Sequence, residues 1–276
     1  MQTNADAKTV EGFGEEWSKF NQSELDEQER LQIFESYFRV FPWEGLPENP
    51  KGFDLGCGSG RWAKSVAPRV GKLVCVDASA DALEVAKKNL SSFSNCEFHN
   101  ASVDAMPIEN GSMDFGYSLG VLHHIPDTLE GIKKCAEKLK KGAPFLVYLY
   151  YAFDNRPAWF RTVWKISDFF RRGIAKLPIS VKHLVAEIIA FAVYFPLART
   201  AYLLEKIGLN VSAIPLSIYR DKSFYTMRTD ALDRFGTRLE HRYTRKQIEE
   251  MMIQAGLENI KFSDDLPFWC AVGLKK

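Results

Sequence analysis

Residues Phe53 to Gly60 read Phe-Asp-Leu-Gly-Cys-Gly-Ser-Gly, and Asp77 follows Gly56 by 21 positions. An apolar run ahead of three alternate glycines, with an amphipathic stretch behind them, predicts a strand that turns sharply into a helix. Glycine permits such a turn and also lets a flat polar ligand lie against the main chain, where a Cβ would collide. Asp54 and Asp77 place two carboxylates beside that ligand. A carboxylate repels a pyrophosphate and attracts a cation, so the pair favours a nucleoside bearing an amine and ribose hydroxyls over a dinucleotide. The spacing agrees. A dinucleotide loop reads G-x-G-x-x-G, and its last glycine would fall on Arg61.

The alternation continues downstream. Strands are expected at 52–55, 72–77, 96–100, 113–119 and 143–151, with helices at 61–70, 81–90 and 127–140 between them. Such a rhythm predicts a parallel sheet with ligands at the carboxyl ends of its strands. It stops near Phe153. Residues 154–239 are aromatic and helical in pattern, and the rhythm resumes at Thr244-x-x-Gln247, a capping-box signal. A helix ending at Gly256 and two strands, 257–262 and 268–274, close the chain. Three parts are therefore expected: an N-terminal helical lid over 1–44, a core over 45–150 and 240–276, and a helical insert over 151–239 that caps an acceptor pocket.

Composition bounds the partners. Thirty-six Lys and Arg against 35 Asp and Glu leave the chain nearly neutral, so nucleic acid is not the expected partner. Five cysteines without a C-x-x-C pair or a histidine at ligand spacing indicate a reducing compartment and no metal site. The polar, acidic first residues do not read as a signal peptide, and the expected location is cytoplasmic. The longest wholly apolar run, Ile188 to Ala198, is 11 residues and too short to span a bilayer. From Arg156 to Lys182 there are seven Lys/Arg and a single acid, Asp168, interleaved with Trp159, Phe160, Trp164, Phe169 and Phe170. Residues 156–207 accordingly read either as a simple cap or as a cap that also touches a membrane or lipid.

Asp54-Leu55-Gly56-Cys57-Gly58-Ser59-Gly60 resembles the (E/D)-x-G-x-G-x-G first motif of the class I S-adenosylmethionine-dependent methyltransferases, and the UbiE-like small-molecule group in particular. Three further segments match in order: Asp77 at the end of the second strand, Asp104-Ala105-Met106-Pro107, and Met113-Asp114-Phe115 through His123-His124-Ile125-Pro126-Asp127. The resemblance implies an α/β, Rossmann-like, seven-stranded sheet whose last strand inserts antiparallel, with S-adenosylmethionine as cofactor.

It also implies roles. Gly56, Cys57, Gly58 and Gly60 form the turn, and Asp54 sits near the methionine amine. Asp77, followed by Ala78, accepts from the ribose hydroxyls, which suits an acceptor-only group. Asp104 and Ala105 meet the adenine, Leu119 or Gly120 touches the cofactor near its sulfonium, and Trp17, with Phe13 and Gly14, belongs to a lid that contacts the cofactor. Arg30 reads either as a partner of the cofactor carboxylate or as part of a solvated helix face.

On the acceptor side, His123 and His124 are the histidines placed beside the methyl group, and either, with His124 preferred, is the candidate general base. Tyr150, His241, Arg242 and Tyr243 are candidate acceptor-binding residues. Asp233, Arg234, Phe235, Leu239, Glu240, Arg242 and Tyr243 match a segment of bacterial small-molecule and glycoconjugate methyltransferases. The expected reaction is O- or N-methylation of a small molecule, a glycoconjugate or a lipid-linked acceptor. Two other readings stay open: a non-catalytic scaffold that binds S-adenosylmethionine, and a nicotinamide-dependent oxidoreductase.

Overall fold

A computed structural model describes residues 3–276. The chain divides into two units. The first holds the chain up to Gln22, Arg30–Ala152 and Leu239–Lys276; the second holds Ser23–Glu29 and Phe153–Arg238.

The first unit is built on one seven-stranded sheet. Its strands are β1 (Lys51–Leu55), β2 (Lys72–Asp77), β3 (Cys96–Asn100), β4 (Phe115–Leu119), β5 (Pro144–Tyr148), β6 (Leu257–Phe262) and β7 (Cys270–Lys275), in the spatial order β3-β2-β1-β4-β5-β7-β6. Strands β1 to β5 pair in parallel, and β7 runs antiparallel to both β5 and β6. The expected sheet with its antiparallel last strand is therefore present.

The helices of this unit are α1 (Ala7–Lys19), most of α2 (Glu27–Phe38), α3 (Ala63–Val66), α4 (Ala80–Asn89) and α5 (Thr128–Lys138), joined after the excursion by a returning helix, Arg245–Gln254. Alternate strand residues feed two cores. Phe53, Val74, Val76, Phe145 and Val147 pack with Ile132 and Ala136 of α5 and with Ile248 and Met252 of the returning helix. Leu73, Cys75, Phe115, Tyr117 and Leu146 pack on the other face with Phe34 and Phe38 of α2, Val66 of α3, and Leu83 and Ala86 of α4. A period of two along strands buried on both sides is what a covered parallel sheet requires.

Two elements differ from expectation. The helix expected over 61–70 is only α3 followed by a 3-10 turn, Ala67–Arg69, because Pro68 has no N–H to continue an α-helical ladder. Strand β5 stops at Tyr148, where its pairing with Cys270 ends, and Tyr151 instead bridges Tyr243.

The second unit is helical: α6 (Ala158–Ile174), α7 (Ile179–Ile189), a π-helical segment Ala190–Tyr194, α8 (Phe195–Lys206) and α9 (Phe224–Gly236). The returning helix of the first unit is thus α10 in chain order. Segment α7–α8 is one continuous 28-residue helix, Ile179–Lys206, longer than its 11-residue apolar run because flanking Val, Leu and Ala extend it. Its core is Ala190, Tyr194, Ala198, Tyr219, Met227, Ala231 and Phe235.

Candidate functional site

The loop after β1 turns as its glycines demand. Gly56, Gly58 and Gly60 all adopt positive φ (73°, 53° and 78°), a region costly for residues with a Cβ. The loop is tied to the second strand, since Gly56 and Cys57 donate backbone N–H bonds to the Val76 carbonyl at 2.7 and 3.1 Å.

Asp77 completes that tie. One carboxylate oxygen accepts from Gly58 N–H and the other from Ser79 N–H, both at 2.8 Å. Burial still dominates, holding the Asp77 carboxyl above its ordinary range despite the two amide donors. Each oxygen has acceptor capacity beyond its one N–H bond, as a ligand carrying paired hydroxyls requires. Ala78 follows, half-buried, and Ser79 caps α4 by accepting from Ala82 N–H.

Asp54 lies underneath the loop rather than on it. It is fully enclosed, paired across the sheet with Cys75 and Tyr117, and it offers no surface to a ligand in this conformation. Burial pushes its carboxyl well above the usual range; the Tyr117 hydroxyl beside it opposes that shift and Asp77 adds to it. The neighbouring thiols are displaced too, with Cys57 pushed up to about 11.

The N-terminal segment covers the same loop. The Trp17 indole stands where a side chain on Gly58 would go, its Nε1 2.9 Å from the position of a Cβ there. Arg61 lies between two indoles, 4.3 Å from the Trp62 ring centroid and 5.9 Å from that of Trp17. Farther along, Asp104 and Ala105 are exposed in a 3-10 turn after β3. The Asp104 carboxylate accepts the Asn4 backbone N–H, while the Asn4 side chain exchanges two 2.8 Å bonds with the Asp127 main chain. Arg30 does not lie on a solvated helix face; it is buried and donates to the Ser65 hydroxyl.

At the ends of β4 and β5 the site changes character. Leu119 is buried, and Gly120 turns away at φ +80° with nothing within 4 Å of where its Cβ would be. That open space lies where the resemblance puts the sulfonium. An aromatic row starts at Trp62 and Tyr37 (4.6 Å between centroids) and runs through Tyr148, Tyr150 and His123 to His124 and Phe13. Tyr37 belongs to no motif; its signal in the sequence is the helical spacing of aromatic residues in α2.

The two histidines differ. His123 is fully buried and stacked 4.0 Å from the Tyr150 ring, and burial, then His124, drives its pKa well below the ordinary value. His124 Nδ1 lies 2.7 Å from the Leu239 carbonyl oxygen. A carbonyl only accepts, so Nδ1 carries a proton, and in the neutral ring the lone pair lies on Nε2.

The returning chain finishes the site. His241 N–H donates to His123 O and Tyr243 N–H to Tyr150 O, both at 2.9 Å. Arg242 donates to Glu240 at 2.7 Å in a pair whose side chains are 8% and 1% exposed, with its guanidinium over the Tyr150 ring. The Tyr243 hydroxyl donates to Thr128 Oγ1 at 2.9 Å. His123, His124, Tyr150, His241, Arg242 and Tyr243 are thus brought together, while Asp233, Arg234 and Phe235 of the same matched segment lie on α9 in the second unit. No group of three metal-ligating side chains occurs among the described residues.

Residues 53–142 match the family described as a methyltransferase domain. A demethylmenaquinone methyltransferase of Staphylococcus aureus is 31% identical over 109 residues, which is 38% of this chain and 44% of that protein. The chain thus spans less than half the length of the curated relatives it matches. Among solved structures, a chain of the complex between the Haloferax volcanii Trm112 methyltransferase activator and its methyltransferase superimposes with a TM-score of 0.54 at 14% identity, covering 96% of both chains. An O-methyltransferase family protein from Burkholderia thailandensis gives a TM-score of 0.54 at 13% identity over 97% of this chain and 59% of that one. At those identities the structures speak for the fold alone. Residues 53–142 thus read as a methyltransferase domain, carried on the seven-stranded sheet described above.

Proposed function

We propose that this chain transfers a methyl group from S-adenosylmethionine to a hydroxyl or amine of a small-molecule or glycoconjugate acceptor. The observation that carries the reading is the juxtaposition of a glycine loop pinned by Asp77 with a histidine of defined tautomer at the end of the neighbouring strand pair. The named acceptor of the Staphylococcus aureus relative, demethylmenaquinone, supports a small organic acceptor over a macromolecular one.

The residues present fit the cofactor. Asp77 supplies acceptors for ribose hydroxyls, Asp104 and Ala105 present an exposed acceptor and backbone for the adenine edge, and Gly120 leaves room near Leu119. When bound, the cofactor supplies a methyl group already activated by a sulfonium. The chain then has to align the acceptor, exclude water and, for a hydroxyl, accept its proton. His124 Nε2 is the base in this reading. His123, neutral and packed on Tyr150, holds the wall, and the Arg242–Glu240 pair sets a guanidinium over the Tyr150 ring.

The test is incubation of the purified protein with tritium-labelled S-adenosylmethionine and fractionated extract, alongside calorimetry with S-adenosylmethionine and with NAD. Binding of the first, with label in a low-mass fraction, is expected. Binding of NAD alone would overturn the reading.

A further inference from the structure

The second unit is built inside out for a protein surrounded by water. Along the helix Ile179–Lys206 the residues facing its own core are small: Ala186, Ala190, Ala198 and Ala201 are buried, with Tyr194 the one large exception. The large apolar side chains point the other way. Leu184, Ile188, Phe191 and Leu203 are exposed, Phe191 at 70% and Leu203 at 64%.

Helix α6 repeats the inversion. Its inner face buries a charged pair, Asp168 with Arg171 at 2.7 Å, and Arg171 also donates to Thr237 O at 3.0 Å. Its outer face carries Trp159, Val163, Ile166 and Phe170 at helical spacing, all exposed, with Phe169 beside them at 76%. In an aqueous surface helix the apolar stripe is the one that faces the core. Here both stripes face away from α9, the helix on which α6 and α7 both pack.

Scattered exposed apolar residues need no explanation, but two such stripes on helices that pack on the same partner, α9, mark an interaction surface. The charges beside them say which kind. Exposed Arg161, Lys165 and Arg172 form an adjacent stripe on α6, and the stretch 156–182 holds seven basic residues against one acid. An apolar face rimmed by basic residues is complementary to an anionic bilayer, which offers acyl chains below a layer of negative headgroups.

We infer that the second unit seats on an anionic membrane surface through the outward faces of α6 and of the helix Ile179–Lys206. The latter is long and apolar enough to cross a bilayer by length and composition, about 42 Å at 1.5 Å per residue. Its inner side nevertheless holds polar ties, Glu187 with Arg228 at 2.6 Å and Arg199 donating to the Arg220 and Lys222 carbonyls. Those ties require a protein neighbour along one whole side, so the helix lies in the interface with its other side in the acyl boundary.

The experiment is sedimentation of the full-length protein with phosphatidylcholine vesicles, with and without phosphatidylglycerol. Binding is expected to be stronger to the anionic vesicles and to weaken as salt rises. The pairs F169E/F170E and F191E/L203E are each expected to weaken partition by about tenfold or more, and R161E/K165E to remove the preference for anionic lipid. Circular dichroism and S-adenosylmethionine affinity, measured on the same variants, are expected to stay unchanged. Wild-type protein that stays in the supernatant at low salt overturns the inference. A concentration-dependent dimer, dispersed by the same apolar-to-acid substitutions and indifferent to vesicles, also overturns it and assigns the face to a second copy. Neither result depends on methyl transfer, so this inference and the proposed activity fail separately.

Discussion

The Leu239 carbonyl oxygen lies 2.7 Å from His124 Nδ1 and fixes which ring nitrogen can act as a base. Leu239 is the first residue after the excursion into the second unit, so the main chain that restores the first unit also sets the tautomer at its candidate reacting end.

The substitution His124→Asn is expected to lower the methyl-transfer rate by about 10²–10³-fold, the range for loss of a positioned base. Calorimetric affinity for S-adenosylmethionine should stay within about twofold. A parallel loss of affinity would make His124 a packing residue. With an amine acceptor that binds neutral, the rate loss shrinks, so the same variant reports on the atom methylated.

Replacing Asp77 by Asn keeps the size but leaves an amide NH2 group facing one of two N–H donors, Gly58 or Ser79. Loss of a charged acceptor to two backbone donors and two ribose hydroxyls is expected to weaken cofactor binding by about 100-fold or more. Thermal unfolding should also shift down in the ligand-free protein, because the loop tie is structural before it is functional. Unchanged affinity by calorimetry would remove Asp77 from the cofactor site.

Asp54 sets a pH dependence with a definite sign. Its carboxyl is raised well above 3.8 by burial, so between the unfolded and folded values the folded state holds a proton that the unfolded state has released. Stability from this group is therefore full at pH below about 3.8 and declines as pH rises towards the folded value. Asp54→Asn should flatten that slope and raise the neutral-pH melting temperature of the ligand-free protein. A cationic amine brought near Asp54 would favour the carboxylate and release the proton, so wild-type cofactor affinity should climb with pH over the same window. A lowered melting temperature in the Asn variant would show that the charged form is the stabilised one.

Gly58 and Trp17 should behave as a coupled pair. An alanine at 58 would adopt φ +53° and put its methyl 2.9 Å from the indole nitrogen. The backbone term alone costs about 1 kcal/mol. Displacement of Trp17 adds to it, so G58A should cost more than either term. In the W17A background the steric part should vanish and the backbone part remain. A double-mutant cycle on melting temperature, with cofactor affinity as a second readout, checks this, and full additivity would mean that the two residues do not touch.

Much of the first unit could be read from residues. The glycine spacing, the strand-end acids and the period-two cores on β1, β2 and β5 are local patterns, and each names its own element. What could not be read depends on distant chain. Nothing near Asp54 shows that it will be sealed between Cys75 and Tyr117, since that follows from strand register. Arg30 looks like a surface residue on a polar helix until Ser65 arrives from another element. The differing fates of His123 and His124 are set by Tyr150 and Leu239, 27 and 115 residues away. In the second unit the helices were legible but their orientation was not, because an inverted amphipathic helix has the same period as an ordinary one.

The stretch 153–238 leaves the first unit and returns to it between neighbouring main-chain segments. Ala152 N–H donates to the Tyr243 carbonyl at 2.8 Å, and Tyr151 and Tyr243 form a parallel bridge. Departure and return of these 86 residues are stitched side by side, and no strand of the seven-stranded sheet lies among them. Such a stretch can lengthen, shrink or be exchanged without breaking a strand. Descendants of this chain are free to rewrite a third of their length while the sheet and its glycine loop stay as they are.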